Sequence, residues 1–524
     1  MLSLALLIVP GLALYSRAKK EFTLVELVAA SIALSFVLLP FAAMLARPFG
    51  FEPWLPLGLL VIALLFRPGG KLKGQKQFKP LALALLFGLL VLAILSQYLA
   101  GPAVHPLHAA DAVWHASNAA LYSISPQFPP LDSYSPGLPL AANWAYTVLL
   151  GETNLHVVFF LAAIALFLSV YLIAEKLFKS GTAAAVLFTF FAGLSWLLQY
   201  NDTFWRLVYL PLNFKFDPTL VFFLLPQPQA IGFVLFAFAL WLYMEKRPAL
   251  LGITLAGLAG YQLQTAAVLF IALILHTATK RELPHWLPWF AFTSLPFLLP
   301  LATVHQSQFS LYFSTDALKT AALTVVPLAA LAWSKRKTPF LPALAVLCVL
   351  LAVFVNIPLT WNGYRFLDYA VLPLAILASA SLKKTLPAIV AVALCVSSIV
   401  LIGLFIGQSY QQAAPSEFPA LQWIDANTPS DALFLEAYSY FPRVPYLGHR
   451  AILYGGYFGP AYHGWDGKLV VERITGETDP ARVRRLLLEN NIDYVFAGER
   501  EKALPFYPAL SQFDEAYPGV FRVS

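Results

Sequence analysis

The sequence predicts a polytopic α-helical membrane protein, with about 14 spans over residues 1–408 and a soluble, exoplasmic α/β domain over 409–524. Three observations carry this expectation. Hydrophobic residues make up 59% of the chain and charged residues only 12%, where soluble globular domains carry roughly 25% charge. Apolar stretches alternate with two kinds of connection that the lysines and arginines tell apart. After Gln408 no apolar run is long enough to span, and Arg, Glu, Asp and Gly become frequent.

The first 20 residues lack the basic n-region and small-residue cleavage site of a secretory signal and read as a retained first span. Basic connections follow at Arg17–Lys20, Arg67–Lys79, Lys176 and Lys179, Lys246 and Arg247, Lys280 and Arg281, Lys335–Lys337, and Lys383 with Lys384. They hold 19 of the 24 cations that precede the C-terminal region, which assigns them to the cytoplasm and the intervening connections to the outside. The net charge of +7 thus sets topology rather than pointing to nucleic acid. Strict alternation places spans near 1–16, 22–46, 51–66, 80–100, 153–175, 181–200, 222–243, 248–261, 264–278, 284–304, 320–334, 338–356, 366–382 and 385–407, with both termini outside. The pair 248–261 and 264–278 falls short of the roughly 20 residues a bilayer core needs. It reads as a short buried hairpin whose polar return, Tyr261-Gln262-Leu263-Gln264-Thr265, can line a cavity. Cys348 and Cys395 lie inside apolar runs and suggest neither a disulfide framework nor a nucleophile.

Beyond Gln408 the pattern predicts a helix at 418–427, a strand at 432–436, a helix at 480–490, a strand at 492–497 and a last strand near 520–523, an alternation typical of a small α/β layer.

The main polar interruption of the apolar region is the loop 101–150, and within it the stretch His105–Gly137. His108, Asp111, His115, Asn118 and Tyr122 recur at spacings of three and four and share one helical face, with Val113, Trp114 and Leu121 opposite. Such a helix would lie along a membrane interface. A carboxylate there, partly buried and held by imidazole, suits a general base, and Asp111 is the first candidate. The same stripe also fits the solvated face of a juxtamembrane helix. A third reading is a divalent metal on His108, Asp111 and His115, although no fixed motif such as HExxH is present. Three further polar groups are expected outside: Asn201–Arg206, Gln227–Gln229 and Trp361–Tyr369. Arg206 and Arg365 are suited to hold a phosphate; the structural alternative pairs Arg206 with Asp202 and Arg365 with Asp368.

Taken in order, these segments resemble the GT-C-type membrane glycosyltransferases, among them the protein O-mannosyltransferases and the aminoarabinose transferase of lipid A, and more closely their poorly characterised prokaryotic branches. The likeness covers most of residues 80–524. It rests on the acid-bearing loop helix followed by Phe128-Pro129-Pro130-Leu131, Tyr134 and Gly151-Glu152, on Leu224-Leu225-Pro226-Gln227, and on RFLDYAVLP from Arg365 to Pro373. It extends to the C-terminal segments LQWIDANTPSDALFLE, LGHRAILYGG and LLLENNIDYVFAGERE. The resemblance implies a GT-C-like helical bundle with an exoplasmic domain and a polyprenyl-phosphate-linked sugar donor. It also implies transfer with inversion to a lipid, glycan or protein acceptor among membrane lipids. Asp111 then corresponds to the family's first-loop acid, Arg206 or Arg365 to a phosphate grip, and His108, His115, Asp202, Gln227 and Asp368 to substrate-binding groups. Where many members carry a second nearby acid, Ala112 follows Asp111 here. The other function class compatible with the sequence is a non-catalytic transporter, flippase or assembly factor for lipid-linked saccharides.

Overall fold

The computed structural model describes residues 2–46, 58, 71–73, 78–98, 103–104, 109–124, 130–134, 140, 143–191, 223, 227–298, 310–311, 313–332, 339–356, 365–382, 385, 387–395, 398, 410–411, 413–439, 442–455 and 467–523. Apolar, charge-free segments fold as helices because a medium without water leaves each backbone polar group to be satisfied within its own segment. Leu24–Ala46, Phe78–Ser96 and Leu155–Phe178 are long and apolar enough to cross a membrane, with mean hydropathies of 2.3, 2.5 and 2.8. Shorter apolar helices of 10–17 residues include Gly181–Phe190, Pro228–Met244, Pro248–Tyr261, Leu263–Thr279, Phe340–Phe354 and Phe366–Ser379. The expected spans at 51–66 and 385–407 lie mostly outside the described residues.

The chain divides into two compact units. One comprises Met1–Ser96, Thr153–Leu299 and Ser307–Gly407; the other comprises Gln97–Glu152, Pro300–Gln306 and Gln408–Ser524.

In the first unit the Leu155–Phe178 and Pro228–Met244 helices are apolar on every face and form the core. Asn154 starts the former by accepting hydrogen bonds from the backbone N–H of His156 at 3.0 Å and of Val157 at 3.3 Å. Lys179, in the left-handed region at φ 55°, stops it. Pro228 and Pro248 each occupy the first turn of their helix, where a missing N–H costs nothing. The Val9–Ala18 and Leu24–Ala46 helices approach so closely at Gly11 that a Cβ there would sit 2.0 Å from the Ser31 carbonyl oxygen. The Gly11 N–H, too near its helix start for an intrahelical partner, donates instead to Ser35 Oγ at 2.9 Å.

Among the described residues, the basic connections at Lys19, Lys176 and Arg247 come together. Lys19 bridges Glu26 and Glu245 at 3.0 Å each, Lys176 reaches Glu245 at 2.6 Å, and Arg247 Nη1 donates to the Ala18 carbonyl at 2.9 Å. Burial raises the Glu245 pKa, but hydrogen bonds from Lys176 and Lys19 outweigh it and hold the carboxyl below its usual range.

In the second unit a five-stranded sheet takes the order β4-β5-β3-β1-β2, from β1 (Leu433–Leu435), β2 (Ala451–Ile452), β3 (Tyr494–Phe496), β4 (Asp514–Tyr517) and β5 (Val520–Arg522). β1 pairs parallel with β2 and β3, and β5 pairs antiparallel with β3 and β4. The period of two along each strand sends alternate residues to opposite faces. Leu435, Val495 and Phe521 join Val471, Ile474, Val483, Leu487 and Phe506 on one face. Phe434, Phe496 and Val520 join Leu421, Ile424 and Val444 on the other. The helices Phe418–Asn427 and Pro480–Glu489, expected from the sequence, thus cover opposite faces.

A buried ionic cluster pins this layer. Arg443 reaches Glu417 at 2.5 Å through Nη1, Glu436 at 2.9 Å through Nε and Glu501 at 2.5 Å through Nη2; Arg500 adds contacts to Glu436 at 2.9 Å and Glu501 at 3.0 Å. The remaining carboxylate lone pairs accept from the backbone N–H groups of Ala414, Ala437, Gly498 and Glu499. At Gly498 a Cβ would stand 2.1 Å from Glu417 Oε1, so only glycine lets the chain pass. Removing one partner of a buried ion set leaves uncompensated charge. Arg443→Ala is therefore expected to lower the stability of this unit by about 3–5 kcal/mol, read from chemical unfolding of the full chain followed by Trp423 fluorescence.

Candidate functional site

Each unit carries one polar grouping that includes residues singled out in the sequence. In the second unit, Ala109–Ile124 is a helix, packed against the Trp144–Glu152 and Arg443–Leu447 helices. Its two faces differ less than an interfacial helix would require. His115, Asn118 and Tyr122 are as buried as Val113, Trp114 and Leu121 opposite them, because Tyr146, Ser133 and Glu152 of the same unit pack on the polar side. The His115 ring sits 4.8 Å from the Trp114 ring and 5.0 Å from that of Tyr146, edge-on to the latter. Asp111 belongs to this helix; its side chain and all of His108 lie outside the described residues.

What fixes the helix is the turn Asp132-Ser133-Tyr134. Asn118 Oδ1 accepts from both the backbone N–H of Ser133 at 2.8 Å and its hydroxyl at 2.7 Å. Asp132 Oδ1 accepts from Trp114 Nε1 and from the Tyr134 N–H, each at 3.0 Å. The Ser133 carbonyl then accepts from the Ile452 N–H at 3.1 Å, which lays the loop along edge strand β2. Ala103 and Val104 pair antiparallel with Gln411 and Tyr410, so the loop and the C-terminal segment are also stitched at their starts. Burial pushes the Tyr134 phenol well above its usual pKa; the Ser117 hydroxyl pulls the other way, while the carboxylates of Asp132 and Glu436 and the phenol of Tyr446 add to the rise.

In the first unit three helix ends meet. Gln262, extended at φ −155° and ψ 91°, separates the Pro248–Tyr261 and Leu263–Thr279 helices. Arg247 and Lys280, at their far ends, line one cavity, so the pair is a hairpin with Gln262 at its apex. The Pro248–Tyr261 helix of 14 residues rises about 21 Å, short of a hydrocarbon core of about 30 Å. The apex thus stands one helix length from Arg247. There Gln262 Oε1 accepts from the Tyr369 hydroxyl and, at 3.1 Å, from that of Thr265. Tyr369 packs its ring 5.2 Å from Phe233 and 5.7 Å from Phe236, in the helix that Gln227 precedes. Gly232 allows the approach, since a Cβ there would touch the Gln262 side chain at 3.1 Å.

The structure thus joins the polar hairpin return to the segment that begins at Arg365. Asp368 is buried in the first turn of the Phe366–Ser379 helix, with Arg365 preceding it. Gln227, also buried, immediately precedes the Pro228–Met244 helix without a side-chain capping bond, and its Oε1 has no hydrogen-bond partner among the described residues. Asp202 and Arg206 lie outside the described residues. No group of three or more His, Cys, Asp or Glu side chains among the described residues is placed to hold a metal ion.

Sequence reading took Asp132 only as a loop acid and passed over Asn118–Ser133 and the Arg443 cluster. Two signals were available. An Asp two residues before an N–H donor favours a local turn, and a buried indole N–H needs an acceptor.

No family model matches the chain, and no curated protein matches it. Among solved structures it is similar to the oligosaccharyltransferase of Archaeoglobus fulgidus in its apo form, with TM-score 0.40 and 12% identity over 83% of this chain and 71% of that one. The same enzyme tethered to an acceptor peptide containing the NVT sequon gives TM-score 0.39 and 12% identity over 80% and 69%. Its complex with an inhibitory peptide and a dolichol-phosphate gives TM-score 0.35 and 11% identity over 80% and 69%.

The buried phenol predicts an alkaline response. Below pH 10, the usual tyrosine range, folded and unfolded chains both keep the Tyr134 proton. Above it the unfolded chain releases a proton that the folded one retains, so stability falls as pH rises. Tyr134→Phe is expected to make that fall shallower by about 1.4 kcal/mol per pH unit, measured by chemical unfolding from pH 9 upward.

Proposed function

We propose that the chain is a multi-pass membrane glycosyltransferase that passes a sugar from a polyprenyl-phosphate-linked donor to a lipid, glycan or protein acceptor outside the membrane. Asp111 takes the proton of the acceptor hydroxyl as the acceptor oxygen bonds to the anomeric carbon. The bond from that carbon to the phosphate oxygen breaks, and the configuration inverts. Arg365 or Arg206 neutralises the departing lipid phosphate. His108, His115, Asp202, Gln227 and Asp368 position the two substrates.

The observation that most supports this reading is that the Asp111 helix is built into the C-terminal unit through Asn118, Ser133 and Ile452. An acid that must meet a substrate in one geometry gains from a helix whose partners are themselves fixed. The gathering of Lys19, Lys176, Arg247 and Lys280 at one end of the bundle supports placing that end in the cytoplasm. The Gln262–Tyr369 end then faces outward.

One observation favours the second reading, a transporter, flippase or assembly factor: the extended Gln262 interrupts an apolar helix pair, as broken helices do in transport paths. Two carboxylate variants separate the cases in membranes supplied with a polyprenyl-phosphate sugar. Asp111→Asn is expected to cut transfer about 10²–10⁴-fold with the unfolding transition unmoved. Asp132→Asn is expected to cost about 1–3 kcal/mol of stability. Full transfer by Asp111→Asn removes Asp111 as the base.

A further inference from the structure

The charged end of the first unit holds a cavity of about 750 Å³ whose rim carries Lys176, Lys246, Arg247 and Lys280 against a single carboxylate, Glu282. Lys176 is already engaged by Glu245 at 2.6 Å and by the Met244 carbonyl at 3.1 Å. Lys246, Arg247 and Lys280 remain as an excess of positive charge. Two buried donors in the lining, Arg247 Nε and Trp286 Nε1, have no hydrogen-bond partner among the described residues. A buried unsatisfied donor is costly, and the cations on the rim supply the attraction for an anion. The remaining wall is apolar, with Leu240, Leu251, Leu283 and Phe340.

Pro339 also lines a second space, an apolar groove of about 680 Å³ between the Thr315–Ala332, Phe340–Phe354 and Phe366–Ser379 helices. Small side chains, Ala321, Ala322, Ala329 and Ala332, open one of its walls from Leu318 onward, a helical run of about 21 Å. A basic cavity that shares a rim residue with a long apolar groove matches an amphiphile.

We propose that this end of the unit binds an anionic phospholipid, its phosphate against Arg247, Lys280 and Trp286 and one acyl chain in the groove beyond Pro339. Such pockets between membrane helices, on the side bearing the basic connections, suit phosphate headgroups. The site is independent of the sugar-transfer reading, because none of its residues takes part in that chemistry.

The test measures thermal unfolding of the detergent-solubilised full chain with phosphatidylglycerol, phosphatidylcholine or inorganic phosphate added. Phosphatidylglycerol is expected to raise the midpoint above the other two. Lys280→Gln, an exposed change, should weaken phosphatidylglycerol about fivefold, the equivalent of about 1 kcal/mol per basic residue; Lys246→Gln serves if that variant does not fold. Ala322→Phe should abolish the advantage of long-chain over dioctanoyl phosphatidylglycerol. Equal effects of the two phospholipids, or a Lys280→Gln variant with unchanged response, overturn the proposal. An inorganic phosphate effect as large as that of phosphatidylglycerol overturns the acyl-chain part.

Discussion

Ser133 ties the first loop to the C-terminal segment, alongside the pairing of Ala103–Val104 with Tyr410–Gln411. Ser133 gives its N–H and hydroxyl to Asn118 and its carbonyl to the N–H of Ile452, so the Asp111 helix, the Asp132 turn and the edge of the sheet are set by one residue. All these groups are buried, where hydrogen bonds lost to folding are not replaced by water and each broken contact costs its full desolvation. The Arg443 cluster stands behind this arrangement, since Glu436 both holds Arg443 and lies close enough to Tyr134 to raise its phenol. A chain of polar contacts therefore runs from the loop helix to the middle of the α/β layer.

The first unit is organised by the opposite constraint, a scarcity of polar groups. Among the described residues, the Lys19–Glu245–Lys176 ion pairs and the hydrogen bond from Arg247 to the Ala18 carbonyl lie together. The Gln262–Thr265–Tyr369 cluster lies at the far end of the hairpin. In an apolar bundle such clusters are expensive unless they satisfy one another or serve a ligand. Gln262 does the first with Tyr369 and Thr265.

Much of the architecture was legible in the chain because it depends on local pattern. Hydropathy alone marks the helices, and the short apolar runs in 432–436 and 492–497 mark β1 and β3 as strands. The short hairpin was legible too, because 14 apolar residues between Arg247 and the polar Gln262 cannot fill a bilayer. What the sequence concealed depends on contacts between distant residues. Asn118 looked like part of a solvated stripe because its partner, Ser133, is not periodic with it. Arg443 sits between Pro442 and Val444, and its three glutamates are spread from 417 to 501. Only the fold brings such charges together, and the burial of His115 between Trp114 and Tyr146 was invisible for the same reason.

The central claim is that this chain forms a glycosidic bond at the expense of a lipid phosphate linkage. The most direct measurement is the anomeric configuration of the product made by the purified full chain, in proteoliposomes, from a polyprenyl-phosphate sugar of known configuration. The account predicts a new glycoside with the configuration inverted and free polyprenyl phosphate released in equal amount. Movement of the intact donor across the bilayer with no glycoside formed, or a product of retained configuration, would contradict it.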